Sequence, residues 1–205
     1  MKKQDYKALA KQYDEQAKEY DSYGHDVLFG MIYEYVKPNE KILDLGIGTG
    51  LASIKLAIMG LKVYGLDISD EMLNICKIKS FTEDLKLHNL LDDRIPYSDA
   101  FFNHIISCGV FHFFGDLRNI FTEVARIIKR GGIFAFTISP ENIEAEYKDQ
   151  MTSWGVPIFK HSPIYIKRLL EQEEMSLLKE QRLLLKGADK VNYDMLFSVM
   201  IVKCK

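Results

Sequence analysis

Apolar residues recur with a helical period at the start of the chain. Tyr6, Leu9, Ala10, Tyr13, Ala17 and Tyr20 stand at i, i+3, i+4, i+7, i+11 and i+14, which predicts one amphipathic helix over 5–20. A second helix presents Leu28, Phe29, Ile32, Tyr35 and Val36 on one side and stops before Pro38, because proline disfavours helix at the residue ahead of it. Beyond Pro38-Asn39 the apolar runs shorten. KILDL (41–45) reads as a strand, a glycine-rich turn follows, and a helix carrying Leu51, Ile54 and Ile58 ends at Gly60. KVYGL (62–66) is a second strand ending at Asp67, and Ser69 is a fitting N-cap for a helix that presents Met72, Ile75 and Cys76. Residues 85–88 read as a short third strand and 101–107 as a fourth.

Asp116 is placed as the next N-cap, ahead of Leu117, Ile120, Phe121, Val124 and Ile128, with Gly131-Gly132 ending that helix and IFAFTI (133–138) following as a strand. Alternation of this kind implies an α/β fold with a doubly wound, Rossmann-like sheet, since parallel strands need crossover connections. After Pro140 the rhythm loosens. Ser162-Pro163 opens a helix through Leu170, and Met175–Leu185 and Tyr193–Val202 read as two long strands joined by a turn at Gly187-Ala188-Asp189-Lys190. The expected architecture is a seven-stranded sheet ending in an antiparallel β-hairpin, capped by N-terminal helices.

Composition narrows the function classes. A length of 205 residues suits one domain, with 1–38 as a helical cap and 140–162 as a substrate-side insertion. Lys and Arg number 27 against 29 Asp and Glu, so the chain carries no cationic excess to neutralise a phosphate backbone, and nucleic acid is not the expected partner. Acidic and polar residues interrupt the N-terminal segment before an apolar run develops, which predicts no export signal, and no stretch reaches membrane-spanning length. Cys76, Cys108 and Cys204 are widely spaced, as reduced cytoplasmic thiols are. The histidines show no metal-ligand spacing, so no metal is expected. Oligomeric state leaves no mark in the sequence.

The chemistry concentrates at Asp44-Leu45-Gly46-Ile47-Gly48-Thr49-Gly50, between a strand and a helix. Glycines there let the backbone turn sharply and let a ligand approach where a Cβ would collide. The spacing is GxGxG. A dinucleotide fingerprint would put its third glycine at position 51, which is Leu51. Asp67, seventeen residues after Gly50 at the next strand end, can accept two hydrogen bonds from a ribose diol, although Asp is also a good helix cap at such a place.

Together, ILDLGIGTG, VYGLDIS, RIPYSDAFFNHIISCGVFHFF and EVARIIKRGGIFAFT resemble, in order and spacing, the motif series of class I S-adenosylmethionine-dependent methyltransferases. The likeness is strongest to small-molecule enzymes similar to the ubiquinone/menaquinone-biosynthesis and type 11 families, whose N-terminal helix often carries a pattern like YDEQAKEYD (13–21), and it covers about residues 10–139. The resemblance implies that Gly46, Gly48 and Gly50 line the methionine part of S-adenosylmethionine, and that Asp67 binds the ribose hydroxyls. It further implies that Ile68 and Met72 pack beside adenine, that Asn89 or Asp92 meets the adenine amino group, and that Cys108 lies near the methionine moiety. Asn103 and Arg130 depart from the family's usual aspartate and proline.

Other residues are read on their own merits. Asp44 beneath the turn orients backbone N–H groups through charge-assisted hydrogen bonds. His112, in VFHFF, is the candidate general base, against the ordinary alternative of a packed histidine. Tyr13, Tyr20 and Tyr23 form an aromatic lid or simply the buried face of a helix. Tyr147, Trp154, Phe159 and His161 supply surface to enclose an apolar or planar acceptor. The expected activity is methyl transfer to an O, N or C atom of a small molecule, with S-adenosylhomocysteine as product. Two competitors remain: a nicotinamide-dependent oxidoreductase, and a non-catalytic S-adenosylmethionine-binding protein.

Overall fold

The computed structural model describes residues 13–20, 22–92, 94–152, 155–186 and 193–205. Two helical pieces come first: α1, seen over residues 13–19, and α2 (Gly24–Ile32), which runs into a 3₁₀ turn at Tyr33–Tyr35. Then the alternation begins, as β1 (Lys41–Leu45), α3 (Ile54–Ile58), β2 (Lys62–Asp67), α4 (Asp70–Ile78) and β3 (Thr82–Leu87). It continues through β4 (Phe102–Ser107), a 3₁₀ turn at Phe111–Phe113, α5 (Arg118–Ile127) and β5 (Ile128–Ile138). A separate two-stranded ribbon, β6 (Tyr147–Met151) with β7 (Pro157–His161), precedes α6 (Pro163–Gln172), β8 (Met175–Lys186) and β9 (Tyr193–Cys204).

The seven-stranded sheet has the order β3-β2-β1-β4-β5-β9-β8. Strands β1 to β5 are parallel, and β9 and β8 close the sheet antiparallel. This is the expected architecture. The order reverses between β1 and β4, so the connections that leave their carboxyl ends run to opposite sides, the place where such sheets form a ligand crevice.

Period-two alternation decides which residues pack on which face. Phe134, Phe136 and Ile138 of β5 join Leu43, Leu45, Ile105 and the apolar sides of α5 and α6 in one core. Ile133 and Ala135 join Ile42, Val63, Ile106 and residues of α2 and α3 in the other. Asp44 shares the parity of Ile42, which buries a carboxylate directly below the turn.

Several boundaries moved. Residues 82–87, not 85–88, form the third strand, pairing with β2 from Val63 to Asp67. Asp116 is not the N-cap of α5: Leu117 holds that position, while the Asp116 carboxylate accepts the Arg118 N–H at 2.9 Å and pairs with its guanidinium. Gly131-Gly132 does not end α5, which closes at Ile127. The pair lies in an irregular stretch of β5, where pairing jumps from Phe102↔Ile128 to His104↔Ile133. A Cβ on Gly132 would stand 2.5 Å from the Asn103 carbonyl oxygen, so close backbone approach is what requires glycine. Ser69 and Ser162 cap α4 and α6 as expected, accepting the N–H groups of Met72 and Ile164. Tyr6, Leu9, Ala10, Trp154 and the turn at 187–190 lie outside the described residues.

Candidate functional site

The site grows from the end of β1. Gly46 and Ile47 donate their N–H groups to the Leu66 carbonyl at 2.8 and 2.9 Å, which stitches the turn to the end of β2. The three glycines all have left-handed φ, +73°, +55° and +88° in chain order, but they serve different ends. A Cβ on Gly46 would stand 2.5 Å from Val110, and one on Gly50 would stand 2.4 Å from Phe81. One on Gly48 would meet nothing within 4 Å among the described residues. Two glycines therefore answer to the chain's own packing, and the middle one presents bare backbone to open space.

Asp67 stands over that bare stretch. Its Oδ2 accepts the Gly48 N–H at 2.8 Å and its Oδ1 the Ser69 N–H at 2.8 Å, so the strand end, the turn and the start of α4 meet on one carboxylate. Burial raises its pKa, against the pull of the backbone donors. Asp44 lies deeper, 2% exposed. The Ser53 hydroxyl donates to its Oδ2, while its Oδ1 is buried with no hydrogen-bond partner among the described residues. Burial, helped by the charge of Asp67 and opposed by Ser53, pushes the Asp44 pKa up to about 7. An orphaned carboxylate oxygen beside a second acid suits a ligand that brings positive charge and donors.

The remaining expected residues differ in burial and in local partners. Met72 is buried at the start of α4, while Ile68 is 59% exposed beside it. Asn89 follows β3 partly buried, its Oδ1 accepting the Leu91 N–H at 3.1 Å, and Asp92 is exposed, 3.9 Å from His88 Nδ1. Cys108 is partly buried past β4, and burial followed by the charge of Asp44 pushes its thiol to about 12, so it stays protonated. Tyr20 is partly buried at the end of α1. Asn103 lies away from the crevice, accepting from the Lys41 N–H at 3.1 Å and Lys129 Nζ at 3.2 Å.

Reasoning from sequence missed one cluster. The Asp14 carboxylate accepts from the Thr49 hydroxyl inside the glycine turn and from Lys79 Nζ at 2.6 Å, which ties α1 to the site. Its partners lie 35 and 65 residues away, and no local pattern announces such pairs. Ser53, the partner of Asp44, was likewise only a helix residue in the sequence.

Past β4 the surroundings change. His112 lies against Phe113 with the rings tilted by 43° and their centres 4.1 Å apart, and it meets Phe197 edge-on at 5.6 Å. Its Nδ1 is buried without a partner among the described residues, and burial lowers its pKa to about 4, helped by His161. It is neutral at neutral pH and a weak base. The β6–β7 ribbon leans on this segment: Tyr147 and Phe159 would both collide with a Cβ on Gly115, and His161 Nε2 donates to the Phe114 carbonyl at 2.9 Å.

Comparison with known proteins finds a family match over less than half of the chain. Residues 43–136 match the methyltransferase domain family. A demethylmenaquinone methyltransferase of Chlorobaculum parvum is 38% identical over 102 residues, covering 49% of this chain and 41% of that protein. The chain spans about half, or less, of the length of the curated relatives it matches. Among solved structures, a SAM-dependent methyltransferase from Methanosarcina mazei overlays with a TM-score of 0.71 at 17% identity, covering 85% of this chain and 96% of that one. Magnesium protoporphyrin IX methyltransferase from Synechocystis, solved with bound SAM, overlays with a TM-score of 0.67 at 15% identity, covering 91% and 80%. At such identities the overlays establish the fold. The matched segment runs from within β1 to within β5, and it contains the glycine turn, Asp67 and His112. Among the described residues no helix is long and apolar enough to cross a membrane.

Proposed function

We propose that this chain transfers a methyl group from S-adenosylmethionine to an O, N or C atom of a small-molecule acceptor, leaving S-adenosylhomocysteine. One observation carries the reading: the open backbone face of Gly48 lies between a carboxylate that already binds its N–H and a buried carboxylate with an unpaired oxygen. The residues present fit the cofactor. Asp44 Oδ1 suits the methionine ammonium, Gly46, Gly48 and Gly50 admit the methionine backbone closely, and Asp67 offers two acceptor oxygens to the ribose diol. Ile68 and Met72 flank adenine, Asn89 or Asp92 meets its amino group, and Cys108 and Tyr20 border the methionine end.

When bound, S-adenosylmethionine supplies a sulfonium methyl already activated toward nucleophiles. The protein's task is then to align the acceptor and keep water out, and positioning of this kind can supply up to about 7–11 kcal/mol without side-chain chemistry. His112, neutral and weakly basic, favours acceptors whose nucleophile needs no strong base. The aromatic β6–β7 ribbon beside it supports a planar or apolar acceptor, with 140–162 as the substrate-side insertion and 1–38 as the cap of a single domain. The same reading puts the protein in the cytoplasm, where Cys76, Cys108 and Cys204 stay as thiols.

Titration calorimetry with S-adenosylmethionine, S-adenosylhomocysteine and NADH tests the proposal. The first two bind and NADH does not. Asp67→Ala weakens binding by roughly 1.5–3 kcal/mol, the worth of hydrogen bonds to a charged group. Undiminished affinity in that variant refutes the ribose assignment. Binding without methyl release to any of a broad acceptor panel converts the enzyme into a non-catalytic binder.

A further inference from the structure

Helix α1 is tied to the glycine turn through one side chain. Asp14 uses both carboxylate oxygens: Oδ1 accepts the hydroxyl of Thr49, between Gly48 and Gly50, and Oδ2 accepts Lys79 Nζ, on the residue that ends α4. Thr49 is 1% exposed, so Asp14 reaches into the turn and does not merely rest on its surface. Lys79 closes the bridge from outside, its side chain 23% exposed, where an ion pair is weakened less by water than on an open surface.

The neighbouring residue shows what this grip places. Tyr13 keeps 37% of its surface exposed, yet its phenol is desolvated, with its pKa pushed up to about 12. After burial, the groups acting on that phenol are Cys108, Asp67, Asp14 and Asp44, three of them at the ends of β4, β2 and β1 and Asp14 on α1 itself. The helix anchored at the next residue thus brings this tyrosine near those groups.

We propose that Asp14 is a positioning residue for the cofactor site, whose double grip on Thr49 and Lys79 holds α1 against the glycine turn and thereby sets how long the ligand stays. This rests on the cofactor reading above and adds a residue that acts through α1 rather than by touching the reacting atoms. A helix held against the turn governs escape more than encounter, so the effect falls on dissociation. The two arms differ: Thr49 contributes a buried hydrogen bond, whereas Lys79 contributes charge that salt screens.

Stopped-flow displacement of S-adenosylhomocysteine from the full chain gives the test, with thermal unfolding of each ligand-free variant alongside. Asp14→Ala accelerates dissociation about tenfold, the worth of one or two charge-assisted hydrogen bonds, and changes association less than twofold. Asp14→Asn, which keeps an acceptor for Thr49 and loses the ion pair, falls between. Lys79→Met, a change at the rim that leaves the glycine turn intact, accelerates dissociation to the same extent as Asp14→Asn, and raised salt brings the wild type toward it. A dissociation rate for Asp14→Ala within twofold of the wild type overturns the proposal, as does a loss of affinity that arises wholly from slower association. A wild-type chain that binds no S-adenosylhomocysteine overturns the cofactor reading and this proposal with it, whereas binding with unaltered dissociation overturns this proposal alone.

Discussion

The wall of the crevice built from β1, β2 and the glycine turn keeps carboxylates under backbone N–H groups, whereas the wall built from residues 111–115 and the β6–β7 ribbon keeps neutral imidazoles among aromatic rings. On the proposed function, one wall recognises charge and donors. The other recognises shape. Burial acts on both and shifts their titrations oppositely, because it always disfavours the charged form: Asp44 is pushed up and His112 down. A cofactor common to a family needs the first kind of wall in a fixed chemistry, while an acceptor that differs between enzymes is read by the second.

The sharpest way to break this contrast is to place a methyl group on each of two neighbouring glycines. Gly50→Ala puts a Cβ 2.4 Å from Phe81 at φ +88°, and costs roughly 2–3 kcal/mol of stability in thermal or denaturant unfolding. Gly48→Ala, with open space around the new Cβ, costs only about 1 kcal/mol from its left-handed backbone, yet it lowers S-adenosylmethionine affinity on the order of tenfold. Equal behaviour of the two variants would mean that Gly48 does not face ligand.

His161→Leu tests the other wall. It leaves the Phe114 carbonyl unpaired and costs about 1–3 kcal/mol of stability, while calorimetric affinity for S-adenosylhomocysteine stays within twofold of the wild type. A large loss of affinity would show the walls to be one coupled unit.

Measurements against pH sharpen the comparison further. The folded chain retains a proton on Asp44 that the unfolded chain has released, so this residue's contribution to stability falls as pH rises from about 4 through about 7. His112 works in reverse: the unfolded chain gains a proton near 6.5 that the fold refuses until about 4, so stability falls as pH drops through that window. Asp44→Asn removes the first slope, and His112→Gln the second. For ligands with an ammonium group, affinity climbs as pH rises toward about 7 and then levels, because the ionised form of Asp44 is the one that binds; 5′-methylthioadenosine, which lacks that group, shows no such climb.

The smallest expected effect belongs to Ile68. Because it is 59% exposed without ligand, Ile68→Ala removes little packing from the fold and lowers cofactor affinity about two- to threefold in calorimetry.

Local signals were enough for much of this architecture. Ser69 and Ser162-Pro163 mark helix starts through their own side chains and backbone, and GxGxG followed by Asp67 marks the tight turn after β1 and the acid at the end of β2 that accepts the Gly48 N–H. The same local logic failed at Gly131-Gly132. There the glycine answers to the Asn103 carbonyl of a neighbouring strand, not to the end of its own helix. Asp116 failed more mildly, since its carboxylate caps from one residue further out.

The order of strands and helices, the glycine turn and the acid after β2 were thus determined by the chain itself, since each depends on residues within a few positions of one another. Tertiary structure alone decided that Asp44 keeps an unpaired oxygen, that His112 is a weak base, and that Asp14 grips Thr49 and Lys79. Those properties come from desolvation and from contacts between distant segments, which exist only once the sheet has closed around them.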